Sequence, residues 1–470
     1  MKNITQKIIK WLSLALVLSA LQFTNTFAYE TAQPQSSAPQ TLKVTTEVEP
    51  VKVSEEIKIP VVEFDADKAT QAYLDRLSAD AREKSDSYYE GGYWLQLWNF
   101  LLTIVIAYFL LQSGLSVKMR DFSQKITRFV FVQNMIYIVQ YIILVSVISF
   151  PLAVYQGYFR EHAYGLSNLS FAGWLGEEFK GLIISLLLMS LAVAGIYKVV
   201  HKARKTWAVW GAVLSIVFIA FVAMIGPVYI SPLFNDYVPL KESELKSEIL
   251  SMARANGVPA ENVYEFNASK QSKRISANVS GMFGTLRVSL NDNLMNRSSP
   301  ESVKAVMGHE LGHYVLNHGI KFLLSFGIVM VLAFVFLKWG FHRFNRPSWG
   351  IKGEDDIAGF PLAMALFSVY FFLMTPVTNT IVRSSETEAD YFGLNASNEP
   401  DGFADAIFSL SEYRKMKPGY WEEIIFYDHP SGYNRIHAAM VWKREQLWKR
   451  ELLKKDTLHG SSFIANKQQP

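Results

Sequence analysis

The sequence predicts a predominantly α, polytopic membrane protein of six or seven transmembrane helices with a small α+β domain set between groups of spans. Three observations predict it. Six long stretches carry no charged side chain, a segment between the fourth and fifth reads as short strands and helices, and a lysine-led apolar run opens the chain. A hydrocarbon core of about 30 Å takes about 20 helical residues. A soluble fold could bury one or two such helices but not six.

Taken in order, Lys2, Lys7 and Lys10 precede the apolar run 11–23, and Thr26-Phe27-Ala28 resembles a small-residue cleavage site. Residues 1–28 therefore read as a signal peptide or an uncleaved signal anchor. Residues 29–90 are polar, rich in acids, Pro, Ser and Thr, and read as a partly disordered, acidic extramembrane linker. The spans are 91–117, 129–159, 181–197, 206–235, 322–337 and 357–382. The third and fifth are short, with Lys180, Lys198, Lys321 and Lys338 at their ends to snorkel. The division is then four helices in 91–230, an intervening segment in 231–320, two helices in 321–382 and a last segment with a helical tail in 383–470.

Within 231–320, residues 241–256 have helical spacing, with Leu245, Ile249, Leu250 and Met252 near one face. Residues 263–266, 286–290 and 274–281 are strand candidates. An exposed edge there would accept an extended peptide as an added strand. The alternative is a structural sheet with no substrate contact.

His309-Glu310-Leu311-Gly312-His313 is the feature that decides the chemistry. Ser299 suits the cap of a helix, Pro300 its first position and Glu301 its positive end. Four residues is about one turn, so both histidines face one metal ion, with Glu310 placed to work on water. The segment 231–320 thus becomes half of a zinc metalloprotease domain, and a third ligand is needed. The metzincin spacing fails, because Leu316 and Gly319 stand where it needs glycine and histidine. His318 reads as a helix-end histidine. The remaining source is Glu386, with Asp390 four residues on to orient a ligating imidazole and Glu388 turned to solvent.

HExxH followed by ExxxD resembles the type I CAAX prenyl protease family, integral-membrane gluzincin zinc metalloproteases. The likeness runs from about 155 to 435. Arg160-Glu161-His162-Ala163-Tyr164-Gly165-Leu166-Ser167 is similar to that family's glutamate-rich loop, and Tyr229-Ile230-Ser231-Pro232-Leu233-Phe234-Asn235 to the entry of its catalytic domain. Asp428-His429-Pro430 with Arg435 is similar to its late His-Pro…Arg motif. The resemblance implies that His309, His313 and Glu386 hold one zinc ion and that Glu310 is the general base. It implies that His429 and Arg435 approach the substrate carbonyl or backbone, although Arg435 also suits pairing with an acid. It further implies a barrel of seven helices around a large chamber. One departure stands out: Ser276 occupies the place of an asparagine that opens a strand before a glycine, here Gly281, and Asn278 is out of register. Ser276, Asn278 and Gly281 are the substrate-binding candidates.

Loop charge predicts orientation. Lys118, Arg120, Lys125 and Arg128 fill one short loop, Lys198, Lys202, Arg204 and Lys205 another, and Arg343, Arg346 and Lys352 a third. The positive-inside rule puts these loops and the N-terminus in the cytoplasm. Both catalytic segments then face outward, the periplasmic side of a bacterial inner membrane, opposite to the eukaryotic enzymes of the family. The absence of cysteine suits an oxidising compartment. His313 lies nine residues, roughly 13 Å, before the fifth span, and Glu386 about 6 Å past the sixth, which sets the metal near the lipid boundary. The stretch 442–455 reads as a solvated amphipathic helix.

Two function classes fit. One is a zinc endopeptidase acting on prenylated C-termini or, in quality control, on envelope proteins; the other is a non-catalytic membrane scaffold with structural zinc. An intact Glu310 favours the endopeptidase. The partners expected are a peptide or protein substrate, with its lipidation open, and the bilayer. The modest net charge of +4 and the lack of any phosphate-cradling loop argue against nucleic acid.

Overall fold

The computed structural model describes residues 63–280 and 286–465, with side chains to 454. The signal-like segment, most of the linker and Gly281 lie outside the described residues. Helix α1 (Ala66–Asp75) and helix α2 (Ala79–Gln112) are opened by Asp65 and Ser78, whose side chains accept from the Lys68 and Ala81 amides. Within the linker 29–90, which reads as partly disordered from its composition, residues 66–75 and 79–90 are helical. Ala66 and Leu74 pack with Phe403, Ile407 and Met440, so the polar composition belonged to a helix covered on one face.

Helix α3 (Leu115–Ile126) joins α2 to α4 (Val130–Val154), which runs on through a π-helical turn to Arg160. Helices α5 (Phe171–Lys202) and α6 (Trp207–Ile225) follow. After the inserted domain come α10 (His318–Phe344) and α11 (Phe360–Ser397). Six helices among the described residues are long and apolar enough to cross a membrane. Their exposed faces confirm the setting. Leu324, Ile328, Leu332, Val335 and Trp339 are exposed at helical spacing on α10, as are Val213, Val217, Phe221 and Met224 on α6. A continuous apolar girdle of this kind belongs against lipid.

The helices enclose a cavity of about 1670 Å³, lined by apolar side chains such as Phe326, Met330, Phe367 and Phe371 and by Gln96, Asn99 and Thr375. At one end of the helices the three basic loops meet. Arg120 forms a buried ion pair with Asp356 at 2.6 Å, Asp355 accepts from Arg204 and lies 2.9 Å from His201, and Trp207 donates to Glu354. The acids beside the third loop therefore clasp the other two.

The inserted domain holds strands β1 (Tyr237–Pro239), β2 (Val263–Phe266), β3 (Ala277–Ser280) and β4 (Arg287–Asn291), ordered β1-β2-β4-β3. β2 and β4 are parallel and the outer pairs antiparallel. Pro239 sits on an edge strand, where its missing N–H costs no ladder bond. Helix α7 (Glu244–Ala255), short α8 (Asp292–Arg297) and α9 (Pro300–Val315) complete it. Val263, Val279, Val288 and Leu290 of the sheet form one core with Ile249 of α7 and Val303, Met307 and Leu311 of α9. Helices α12 (Pro400–Ser409), α13 (Tyr420–Phe426) and α14 (Gly432–Ala465) close the second half.

Candidate active site

The core fixes which face of α9 is free. Ser299 caps the helix by accepting from the Ser302 amide at 3.2 Å, and Pro300 takes the first position. With Met307 and Leu311 turned to the sheet, His309 and His313 face α11. Backbone contact brings the two helices together: a Cβ on Gly393 would stand 2.7 Å from the His309 amide nitrogen, and one on Gly308 2.9 Å from the Gly393 carbonyl oxygen. Glycine is required at this crossing.

Across it, His309 Nε2 and His313 Nε2 lie 3.0 Å apart, 3.2 and 3.4 Å from the Glu386 carboxylate. Their three ligand atoms lie within 4.8 Å of one another, and all three residues are buried. Glu386 Oε2 has no hydrogen-bond partner although it is buried. Converging lone pairs with an orphaned carboxylate oxygen are the donor set a divalent cation satisfies, and two imidazoles with one carboxylate suit zinc. Burial opposes charge on His309, but Asp390 and Glu386 hold it up to about 10; burial pushes His313 down to about 3 against the pull of Glu386.

Behind the ligands, His309 Nδ1 lies 2.8 Å from Asp390 Oδ1. Arg435 grips the same carboxylate, Nε to Oδ2 at 2.8 Å and Nη2 to Oδ1 at 2.5 Å. Of the two places expected for Arg435, the pairing with an acid is the one seen: it is buried beside Asp390 and is not among the residues lining the cavity. His429 does line it, with Nε2 3.2 Å from Glu386 Oε2 and Nδ1 2.8 Å from Asp428 Oδ1. Glu310 lines it as well.

Ser276 and Ala277 also line the cavity, at the start of the edge strand β3. Asn278 pairs with Ser289 in the ladder and does not. Glu161, from the loop that resembles the family's glutamate-rich one, accepts from Arg274 at 2.7 Å just before β3. His318 stands at a helix end, at the start of α10, but is 0% exposed and lies against His313. Glu388 is half-exposed, as a solvated charge should be, and also meets His318 and Lys321. Spacing hid the histidine contact: five residues apart on one helix, His313 and His318 would not touch.

Residues 239–443 match peptidase family M48, and residues 62–236 match the CAAX prenyl protease N-terminal region of five membrane helices. A protein named "Uncharacterized metalloprotease YhfN", from Bacillus subtilis (strain 168), is 30% identical over 73% of this chain and 82% of its own length. The chain belongs to the M48 family of CAAX prenyl protease type. "CAAX prenyl protease 1 homolog" of Oryza sativa subsp. japonica is 26% identical, covering 62% of this chain and 70% of its own. Among solved structures, the crystal structure of S. mikatae Ste24p shares the fold with a TM-score of 0.66 at 22% identity, covering 80% of this chain and 94% of that one. The M48 protein described here is thus an integral-membrane metalloprotease acting on peptide or protein substrates.

Proposed function

We propose that this chain is a zinc endopeptidase that cuts extended polypeptide at the chamber wall, with its catalytic segments 231–320 and 383–470 on the periplasmic side of a bacterial inner membrane. The observation that carries the reading is the convergence of His309, His313 and Glu386 on one point of the cavity, with Glu310 beside them. Zinc, when bound there, supplies Lewis acidity toward water and the scissile carbonyl. Glu310 takes the proton of the attacking water as its oxygen joins the carbonyl carbon. It hands that proton to the nitrogen as the C–N bond breaks. His429, oriented through its other nitrogen by Asp428, donates to the developing oxyanion. The edge of β3 from Ser276 through Asn278 holds the substrate as an added strand, and Gly281, the third candidate, lies outside the described residues.

The basic loops support the orientation, since they share the end of the helices opposite the ligands and the positive-inside rule assigns that end to the cytoplasm. The apolar chamber suits a lipidated or hydrophobic substrate, as the relatives' name of CAAX prenyl protease suggests. The signal-like N-terminus favours an envelope protein. The test offers detergent-solubilised, zinc-loaded protein a farnesylated CAAX peptide and its unprenylated twin. Cutting that drops about 10²-fold or more in Glu310→Ala supports the peptidase, and the ratio between the peptides tells whether lipid is read. Stoichiometric zinc with neither peptide cut overturns the CAAX substrate.

A further inference from the structure

We infer that His318 is a positioning residue for His313, an imidazole spacer that links this metal ligand to the Glu388–Lys321 ion pair. The inference rests on the zinc-site reading above. His313 points Nε2 at His309 and Glu386, so a ligating His313 keeps that nitrogen bare and carries its proton on Nδ1. That nitrogen lies 2.9 Å from His318 Nδ1. His318 therefore accepts there and carries its own proton on Nε2, which lies 3.1 Å from Glu388 Oε2. The Lys321 ammonium contacts the same oxygen and supplies the counter-charge. Each proton along the chain has one place, and both imidazoles are fixed in tautomer and in plane.

The arrangement matches the one behind the other ligand. His309 meets the carboxylate of Asp390 directly, with Arg435 as its counter-ion. His313 meets the carboxylate of Glu388 through one inserted ring, with Lys321 as the cation. Partners of this kind orient ligating imidazoles and raise their basicity.

The backbone explains how five residues of separation become contact. On one helix, His313 and His318 would stand about 140° apart. Asn317 adopts φ 55, a left-handed conformation that asparagine tolerates better than most residues, and it breaks the chain between α9 and α10. The new helix starts at His318, turned back onto His313.

The experiment measures the zinc dissociation constant of the full-length protein in detergent by competition with a chelator, together with thermal unfolding and kcat/KM at saturating zinc. His318→Leu keeps bulk but offers no acceptor, and it should weaken zinc binding by about 10–100-fold. His318→Asn places an amide oxygen near the lost Nδ1 and should recover most of that loss. Glu388→Gln, half-exposed and safe for folding, should weaken binding about tenfold. A merely structural His318 would lower the melting temperature and leave the zinc affinity of the folded protein unchanged. Parent affinity in both His318→Leu and Glu388→Gln overturns the inference. Should His318→Leu not fold, parent affinity in both His318→Asn and Glu388→Gln does so. Failure of the underlying reading shows separately, as a parent protein that binds no zinc or binds it equally well in His313→Ala.

Discussion

At the scale of single residues, the Asp390 carboxylate stands between His309 and a buried guanidinium. Two roles for Arg435 separate cleanly by experiment. If it acts by holding Asp390 behind His309, Arg435→Met weakens zinc binding about 10–100-fold and destabilises the fold by about 3–5 kcal/mol, because a buried carboxylate loses its partner. If it touched the substrate carbonyl instead, kcat would fall with zinc affinity intact. The burial of Arg435 and its two bonds to Asp390 predict the first result. His429 predicts the opposite pattern. Its Nε2 reaches the cavity wall, so His429→Ala should cost about 10²–10³ in kcat, the usual worth of one oxyanion donor, and an unchanged kcat removes it from the mechanism.

At the scale of elements, the crossing of α9 and α11 decides whether the ligands meet. Gly393→Ala puts a methyl group 2.7 Å from the His309 amide nitrogen, and overpacking of this kind costs about 1–3 kcal/mol. The melting temperature should fall and zinc affinity with it. Gly176→Ala, on α5 with nothing within 4 Å of the added carbon, is the control and should be neutral or stabilising by up to about 1 kcal/mol. A Gly393→Ala protein that melts and binds zinc like the parent would mean that the helices separate without disturbing the site. Capping made α9 readable in advance, as Ser299, Pro300 and Glu301 announce its start. Strand β1 was not readable, since three residues ending in Pro239 carry no period and exist only because β2 pairs with them.

At the scale of the whole molecule, the two ends of the bundle differ in charge and task. One end carries His309, His313 and Glu386, and the other carries the basic loops clasped by Glu354, Asp355 and Asp356. The chain has no cysteine, so single cysteines report topology without background. With the catalytic end outward, Lys417→Cys labels with an impermeant maleimide on intact spheroplasts, and Lys125→Cys only after the membrane is opened. The reverse pattern inverts the orientation.

The spans and the HExxH helix were legible in the sequence, and the four-residue spacing of Glu386 and Asp390 put both on one helix face, which the structure turns toward His309. Uncharged runs report lipid, four-residue spacing reports one helix face, and a cap reports a helix start. The chamber was implied by family resemblance alone, since no local pattern records the space between helices. What only the tertiary structure decided are relations across elements: the clasp of three loops by neighbouring acids, Arg435 turned onto Asp390, and His318 folded back onto His313. The physical reason is common to all three. Each depends on where one backbone crosses or breaks against another, at Asn317 and at the Gly308–Gly393 contact above all, and residue order along one helix carries no record of that distance.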